Sequence, residues 1–477
     1  MNTKLAWIPL TCLVLLVPWV GLAQWEVPTV RKALPVSDLV DPAEIERLEA
    51  QLWEKVRENQ LRKCERPVLR GKAAPGSADE AIIAVLEGEA FTECFDAVKE
   101  ASKEIREWLT SDAPSAEPPG GVLTLCAKLP QAVTSAVAHT DACSPYLFGR
   151  RGMPKMIKAV QAGKALAVLV RVMAREGKVD EAVALGLDSV RFFQDLARGE
   201  GASLLTSMIG VVSAREVVME GLRPALQGGA PTAAVLKRSI AETKALLASE
   251  IDFCDSLAYE HYGMALQMLL PALKPGGWTP PGGYDEGHKP KKVDRPAPTP
   301  GSLQWNESAV AWLGMERVHV LLAKACRSGQ TIMEKKRAME AAGEALLKRS
   351  QKPVWRRYLA IIAAKDPKAE LRDWIIDILS GIAIPSMGGY ATKYYERRFS
   401  LEAIQLHMQF IAARSNKGTC PSIDALRSLA DASAPKGELP LQVSMSQDGA
   451  ISILPPKAYC DELDEEDSPP SYTFTCK

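Results

Sequence analysis

Neither sign of charge is in excess in this chain of 477 residues: Lys plus Arg and Asp plus Glu both total 58. A zero balance gives no support to a nucleic-acid binder or to wide electrostatic steering of a ligand. After the first two dozen residues, no segment reaches the ~20 apolar residues of a membrane span without a charge or a proline. The chain also lacks the local signatures of the common chemistries. It has no G-x-S-x-G elbow, H-E-x-x-H pair, Walker loop or G-x-G-x-x-G turn, and nothing local selects a cysteine triad from the scattered Cys and His. No cofactor is expected.

What is present is the composition of a folded protein, with 47% hydrophobic and 24% charged residues. The N-terminus reads as a secretory signal over 1–23. Lys4 gives a positive start, Leu10 to Val20 is a short apolar run, and Gly21-Leu22-Ala23 places small residues at a cleavage site before Gln24. The alternative is an uncleaved anchor. An extracytoplasmic location, periplasmic or secreted, permits disulfides; loss of Cys12 with the signal leaves nine of the ten cysteines, so one is free or paired outside the chain.

Helical periodicity dominates the rest. Leu166, Leu169, Val170 and Met173 fall at i, i+3, i+4 and i+7 before Gly177. Asp180 then starts a second helix as its cap, with Val183, Leu187 and Val190 on its apolar stripe. After a break at Gly199 to Gly201, a third helix carries Leu205, Met208, Ile209 and Val212. The fold class expected is therefore mainly α, stacked helical hairpins forming an irregular solenoid or bundle, closed by a small C-terminal β-hairpin module.

The chain divides as follows. An extended lead over 24–40 precedes an N-terminal helical body over 41–270, opened by Asp41 as cap and Pro42 at the first helical position. Within the body, helices are expected from Asp79 to about Leu109, from Val122 to His139, from Pro231 to Leu247 and from Ile251 to Leu270. A Pro/Gly-rich loop or linker spans 271–301, and a second helical part spans 302–415, with helices from Trp305, Thr331, Val354, Leu371 and Phe399. The module at 416–477 changes period: Leu441 to Ser446 and Ala450 to Leu454 flank Gln447-Asp448-Gly449, a hairpin signal, and Ser471 to Cys476 adds a third strand.

Three resemblances follow from these residues. The hairpin with Gly177 and Glu181-Ala182 resembles tetratricopeptide-like units. The REGKVDEA hairpin, the GVVSAREVVMEGL helix, GIAIPSM and CPSIDALRSL before a Leu-Pro-Leu, Asp-Gly hairpin are similar to a group of uncharacterised secreted helical proteins of environmental bacteria. The end of the chain resembles the C-terminal part of pseudopilins; their N-terminal helix is missing here, so fibre assembly is not implied.

Candidate chemistry is sparse. Asp252 and Asp255 are i, i+3 neighbours in a stretch that ends at His261, an acidic face suited to general acid/base work or to favouring a helix N-terminus. Glu316 and His319 form one E-x-x-H on a helix, where carboxylate-bridged di-iron bundles need two such motifs and two more Glu. The acidic run Asp461 to Asp467 offers oxygens for calcium but lacks EF-hand spacing. Asn306-Glu-Ser308 matches a glycosylation sequon. Cys460 and Cys476 flank the acidic loop and are expected to bridge, and Cys64 with Cys94 is a second candidate pair. The functional expectation is an exported noncatalytic scaffold that binds a protein or peptide partner. An extracytoplasmic enzyme built around the Asp252 to His261 helix is the alternative.

Overall fold

A computed structural model describes residues 40–63, 65–111, 117–142, 156–198, 204–252, 254–257, 273, 303–350, 363–383, 385–417, 419–434, 439–447, 449–460 and 469–475. It is mainly helical with a small C-terminal antiparallel sheet, as expected. The signal segment, the 271–301 stretch apart from Leu273, the expected helix from Val354 up to residue 362, the acidic run and Cys64, His261 and Cys476 lie outside the described residues.

Helix α1 (Pro42–Lys63) starts where the sequence places it, because Asp41 Oδ1 accepts from Ala43 N at 2.9 Å. The expected 79–109 helix is instead three pieces: α2 (Ala78–Glu87), α3 (Thr92–Glu100) and α4 (Ser102–Thr110). The first break falls at Gly88, whose backbone is extended (φ −64°, ψ 143°), and it redirects the chain between two helices that both contribute to the main apolar core. The expected 122–139 helix is likewise split, into α5 (Val122–Leu125) and α6 (Leu129–Ala136) around a turn before Pro130. Two short strands, β1 (Ala74–Ser77) and β2 (His139–Asp141), pair in parallel and tie the approach to α2 to the chain beyond α6.

The centre is the hairpin of α7 (Met156–Arg175) and α8 (Val179–Leu196). Gly177 ends α7 at φ 81°, a left-handed conformation favoured by glycine. Lys178 N then reaches Met173 O (2.9 Å) and Gly177 N reaches Ala174 O (3.0 Å), the paired bonds of a Schellman stop. Asp180 does not cap its own helix. It lies inside the first turn, and its carboxylate crosses to Thr232, accepting from N and Oγ1 at 2.8 Å each. It thereby fixes the start of α11 (Ala233–Ala248), whose N-cap is Thr232.

The third helix is α9 (Leu204–Glu216), which runs without interruption through a π-helical segment, Val217–Leu222, into α10 (Arg223–Gly228). Close approach explains two glycines here. A Cβ on Gly186 would sit 2.3 Å from Leu222 Cδ2, and one on Gly221 would sit 3.2 Å from Ala167 Cα. Leu166 and Val170 of α7 and Val183, Leu187 and Val190 of α8 are buried in the seam these contacts close, each worth roughly 1.5–3 kcal/mol.

The second part contains α12 (Leu303–Ser328), α13 (Ile332–Ser350), α14 (Pro367–Ala383) and α15 (Pro385–Lys417). Helix α14 begins earlier than its apolar pattern because Asp366 caps it, Oδ1 accepting from Lys368 N and Ala369 N at 3.1 Å each. Helix α15 runs 33 residues, far beyond the expected start at Phe399, and packs on α9 and α11 of the first body, so the apolar core runs continuously from one part into the other. At the end, α16 (Ile423–Ser433), β3 (Gln442–Met445), β4 (Ala450–Leu454), α17 (Lys457–Cys460) and β5 (Tyr472–Thr475) form the small module, with sheet order β3-β4-β5. Its inner face, Val443, Ile451, Ile453, Tyr472 and Phe474, is buried against α15 and α16.

Disulfides join Cys94 to Cys126 and Cys254 to Cys326. The expected Cys64–Cys94 pairing is therefore wrong: Cys126 stands at the end of α5, which packs directly on α3. The Cys460–Cys476 expectation falls outside the described residues through Cys476. Cys460 Sγ itself lies 3.8 Å from Pro455 O and 4.0 Å from Gln442 Nε2, while Cys420 is disulfide-bonded.

Candidate functional site

Every residue of α8 from Leu185 to Leu196 is buried, so the charged ones among them need partners. Asp188, Arg191 and Asp195 stand at i, i+3 and i+7, forming a charged stripe in a stretch of helix whose other residues are mostly apolar. Those partners come from the segment after α1 and from α11. Arg66 is held by its backbone, Arg66 N donating to Thr140 O at 2.9 Å, and by Nη1 to His139 O at 2.5 Å. Its other edge forks onto Asp195, Nε to Oδ1 at 3.0 Å and Nη2 to Oδ2, with both side chains fully buried.

Two turns earlier, Arg70 Nη2 donates to Asp188 Oδ1 at 2.5 Å and to Ala184 O at 2.6 Å, and Thr134 Oγ1 donates to Asp188 Oδ2 at 2.8 Å. Glu242 of α11 faces the same cluster, 3.5 Å from Arg70 Nε and 3.6 Å from Arg238 Nε. Burial raises the Asp188 and Glu242 carboxyls above their ordinary values, partly offset by Arg70 in both cases. Burial also pushes Arg191 down to about 10, so its guanidinium remains charged at neutral pH. Arg191 Nη1 donates to Ser249 Oγ at 2.9 Å and Gln194 Nε2 to Leu246 O at 3.2 Å, which satisfies the C-terminal end of α11 from the flank of α8.

A second polar cluster lies at the π segment. Glu216 and Glu220 are half-buried, and burial raises both, moderated by Lys164 and Arg223 respectively. Above them Arg171 crosses to the end of α4, donating to Leu109 O and to Ser111 O (2.5 Å), with its guanidinium 5.3 Å from the Trp108 ring. A third cluster joins the end of α11 to α15: Arg397 Nη2 meets Glu250 Oε1 at 2.5 Å, and Tyr394 Oη donates to Ile251 O at 2.6 Å. Each cluster joins elements far apart in sequence.

The residues singled out from the sequence are elsewhere. Asp252 is exposed; its Oδ1 accepts from Cys254 N at 2.8 Å and its Oδ2 meets Lys335 Nζ at 2.8 Å, so it caps a turn and ties it to α13. Asp255 is half-buried on that turn, and His261 lies outside the described residues. On α12, Glu316 is half-buried and His319 buried; among the described residues no group of three or more His, Cys, Asp and Glu is arranged to hold a metal ion. Asn306 of the sequon is 0% exposed on α12, which is incompatible with a glycan on the folded chain.

Two features were missed by sequence reasoning. The α8 stripe carries a readable signal, charges at helical spacing flanked on both sides by apolar residues, but its partners are 118 and 129 residues away. The second is an edge. Ser446 N bonds Ala450 O at 2.8 Å, which sets the alternation in the β3–β4 ladder, so the backbone groups of Val443 and Met445 point away from β4. Leu439, Leu441, Val443 and Met445 share one side of this edge; Leu439 is 58% and Met445 46% exposed. Beside them Leu406 of α15 and Ala430 of α16, with Ala434, Leu439 and Leu441, line a cleft. No family model, characterised protein or solved structure matches the chain.

Proposed function

We propose that this chain is an exported, noncatalytic helical scaffold that binds an extended segment of a partner protein along β3. The observation that carries the reading is the edge itself: outward backbone donors and acceptors at Val443 and Met445, a row of apolar side chains with period two, and a cleft continuing from it. Addition of a strand would satisfy the backbone groups, and alternate apolar side chains of the partner would cover Leu439 and Met445. The charged clusters support the same reading from the other side, since their side chains are spent on joining helices into a rigid frame. Two intrachain disulfides fit an oxidising compartment, and no helix among the described residues is long and apolar enough to cross a membrane.

The test is selection of peptides from a random library on the full chain. Enrichment of sequences with apolar residues at alternate positions, with binding lost in Met445→Pro and kept in Asp252→Ala, is the expected result. Met445→Pro removes one edge donor while leaving the β4 ladder intact. Enriched peptides that bind Met445→Pro as well as the parent chain would place the partner elsewhere.

A further inference from the structure

The polar seam between α8 and α11 contains one guanidinium edge that the protein does not complete. Arg191 is 0% exposed, and its Nη1 reaches Ser249 Oγ, yet Nε and Nη2 have no hydrogen-bond partner among the described residues. Those two donors form the side-on fork that holds two oxygens of a carboxylate or phosphate in one plane. Arg66, from the segment after α1, shows the filled version against the stripe residue one turn on, its own Nε and Nη2 closing on the two oxygens of Asp195. Asp195 is near enough to offer Arg191 charge, but no hydrogen bond joins its carboxylate to the Nε/Nη2 edge.

A buried guanidinium cannot shed its proton near neutral pH, and leaving it uncompensated is costly. Water would supply lone pairs without charge; an oxyanion supplies both, in the geometry of the fork. Among the described residues Gln194 Oε1, three residues further along α8, is without a hydrogen-bond partner as well. We propose that the Nε/Nη2 edge of Arg191 is a binding site for a small oxyanion, an inorganic tetrahedral anion or the carboxylate of a small organic acid.

The experiment uses the full chain, dialysed into an oxyanion-free chloride buffer, with sulfate, phosphate or acetate added at constant ionic strength. The expected result is a saturable rise in Tm, a stoichiometry of one by calorimetry for at least one of the three, and loss of both in Arg191→Met. Arg191→Lys keeps the charge but not the fork, so binding at least tenfold weaker in that variant is expected and covers the case in which Arg191→Met does not fold. Selenate in crystals should give an anomalous peak beside Arg191. Comparison of sulfate and phosphate with acetate separates a tetrahedral anion from a carboxylate. A Tm rise that does not saturate, or that is the same size in both variants, means an adventitious ion only and overturns the proposal, as does an unbroken absence of binding with ordered water at the fork.

Discussion

Acidification should weaken the docking of the C-terminal sheet through one residue. His407 of α15 is 3% exposed, stacked on Phe474 at 3.9 Å between ring centroids, with Nδ1 2.8 Å from the Tyr472 hydroxyl. Burial pushes it down from an ordinary 6.5 to about 3. For a base with a depressed folded value, the unfolded chain binds the proton first. Stability is therefore full above the unfolded value and is lost as pH falls from about 6.5 towards 3. Between pH 7 and pH 5 the loss is about 2 kcal/mol, and it depends almost wholly on the unfolded value, because the folded one lies well below 5. Asp188, Glu216, Glu220 and Glu242 act in the opposite sense: with raised folded values they favour the folded state as pH falls. The measurement must then be a difference. Urea unfolding at pH 7, 6 and 5, followed by circular dichroism, is compared for the parent chain and His407→Asn, which keeps a polar atom near the Tyr472 hydroxyl. The parent should lose about 2 kcal/mol more than the variant over this range. Parallel pH profiles would refute the reasoning, since they would mean that His407 binds its proton equally in both states.

Three further outcomes follow from the packing. Asp195→Asn leaves Arg66 buried without its counter-charge and should cost about 3–5 kcal/mol, whereas Arg66→Met with Asp195→Leu should cost much less; a double-mutant cycle by urea unfolding checks both. Gly186→Ala forces a Cβ to within 2.3 Å of Leu222, which is 1% exposed, and should cost roughly 1–3 kcal/mol in the same assay. Reduction of the Cys94–Cys126 and Cys254–Cys326 bridges should remove about 4 kcal/mol for each on the chain-entropy account, given separations of 32 and 72 residues; equal Tm with and without reductant would contradict it.

The α7–α8 hairpin was legible because three local signals agree there: the apolar stripe, Gly177 at the stop and acidic residues in the next first turn. Where a single residue redirects the chain, periodicity misled. Gly88 reads as a weak point in one long helix, yet it separates two elements, α2 and α3, that each pack on α7. Strand β1, Ala-Pro-Gly-Ser, has no strand propensity at all; it is extended because Ala74 N bonds Ala138 O at 2.8 Å and the chain beyond α6 runs alongside. Helix α14 was read late although Asp366-Pro367 repeats the Asp41-Pro42 signal that placed α1 correctly. The candidate sites show the deeper limit. Asp252 and Asp255 attract notice as neighbours in sequence, but the polar groups that meet in space, Arg66 with Asp195 and Arg397 with Glu250, are separated by 129 and 147 residues.

Buried ion pairs of this kind are poor stabilisers compared with apolar residues of the same shape, so their worth lies in what they forbid. A slip of α8 by one turn would move Asp188 and Asp195 off Arg70 and Arg66 and leave four charges unpaired in the interior, at several kcal/mol each, whereas its apolar positions would find new apolar neighbours at little cost. The stripe thus sets the register of α8 against α11 and the 65–71 segment more sharply than the surrounding Leu, Val and Phe can. The same frame carries α15, through Arg397 and Glu250 at the end of α11, and α15 in turn carries the C-terminal sheet through His407 and Tyr472. A sheet edge that is to receive an extended partner has to be ordered before the partner arrives, because ordering it on binding would consume part of the affinity. The chain of polar contacts from Arg66 to Tyr472 provides that order, which makes a pH-induced loosening at His407 the perturbation most directly coupled to the proposed binding edge.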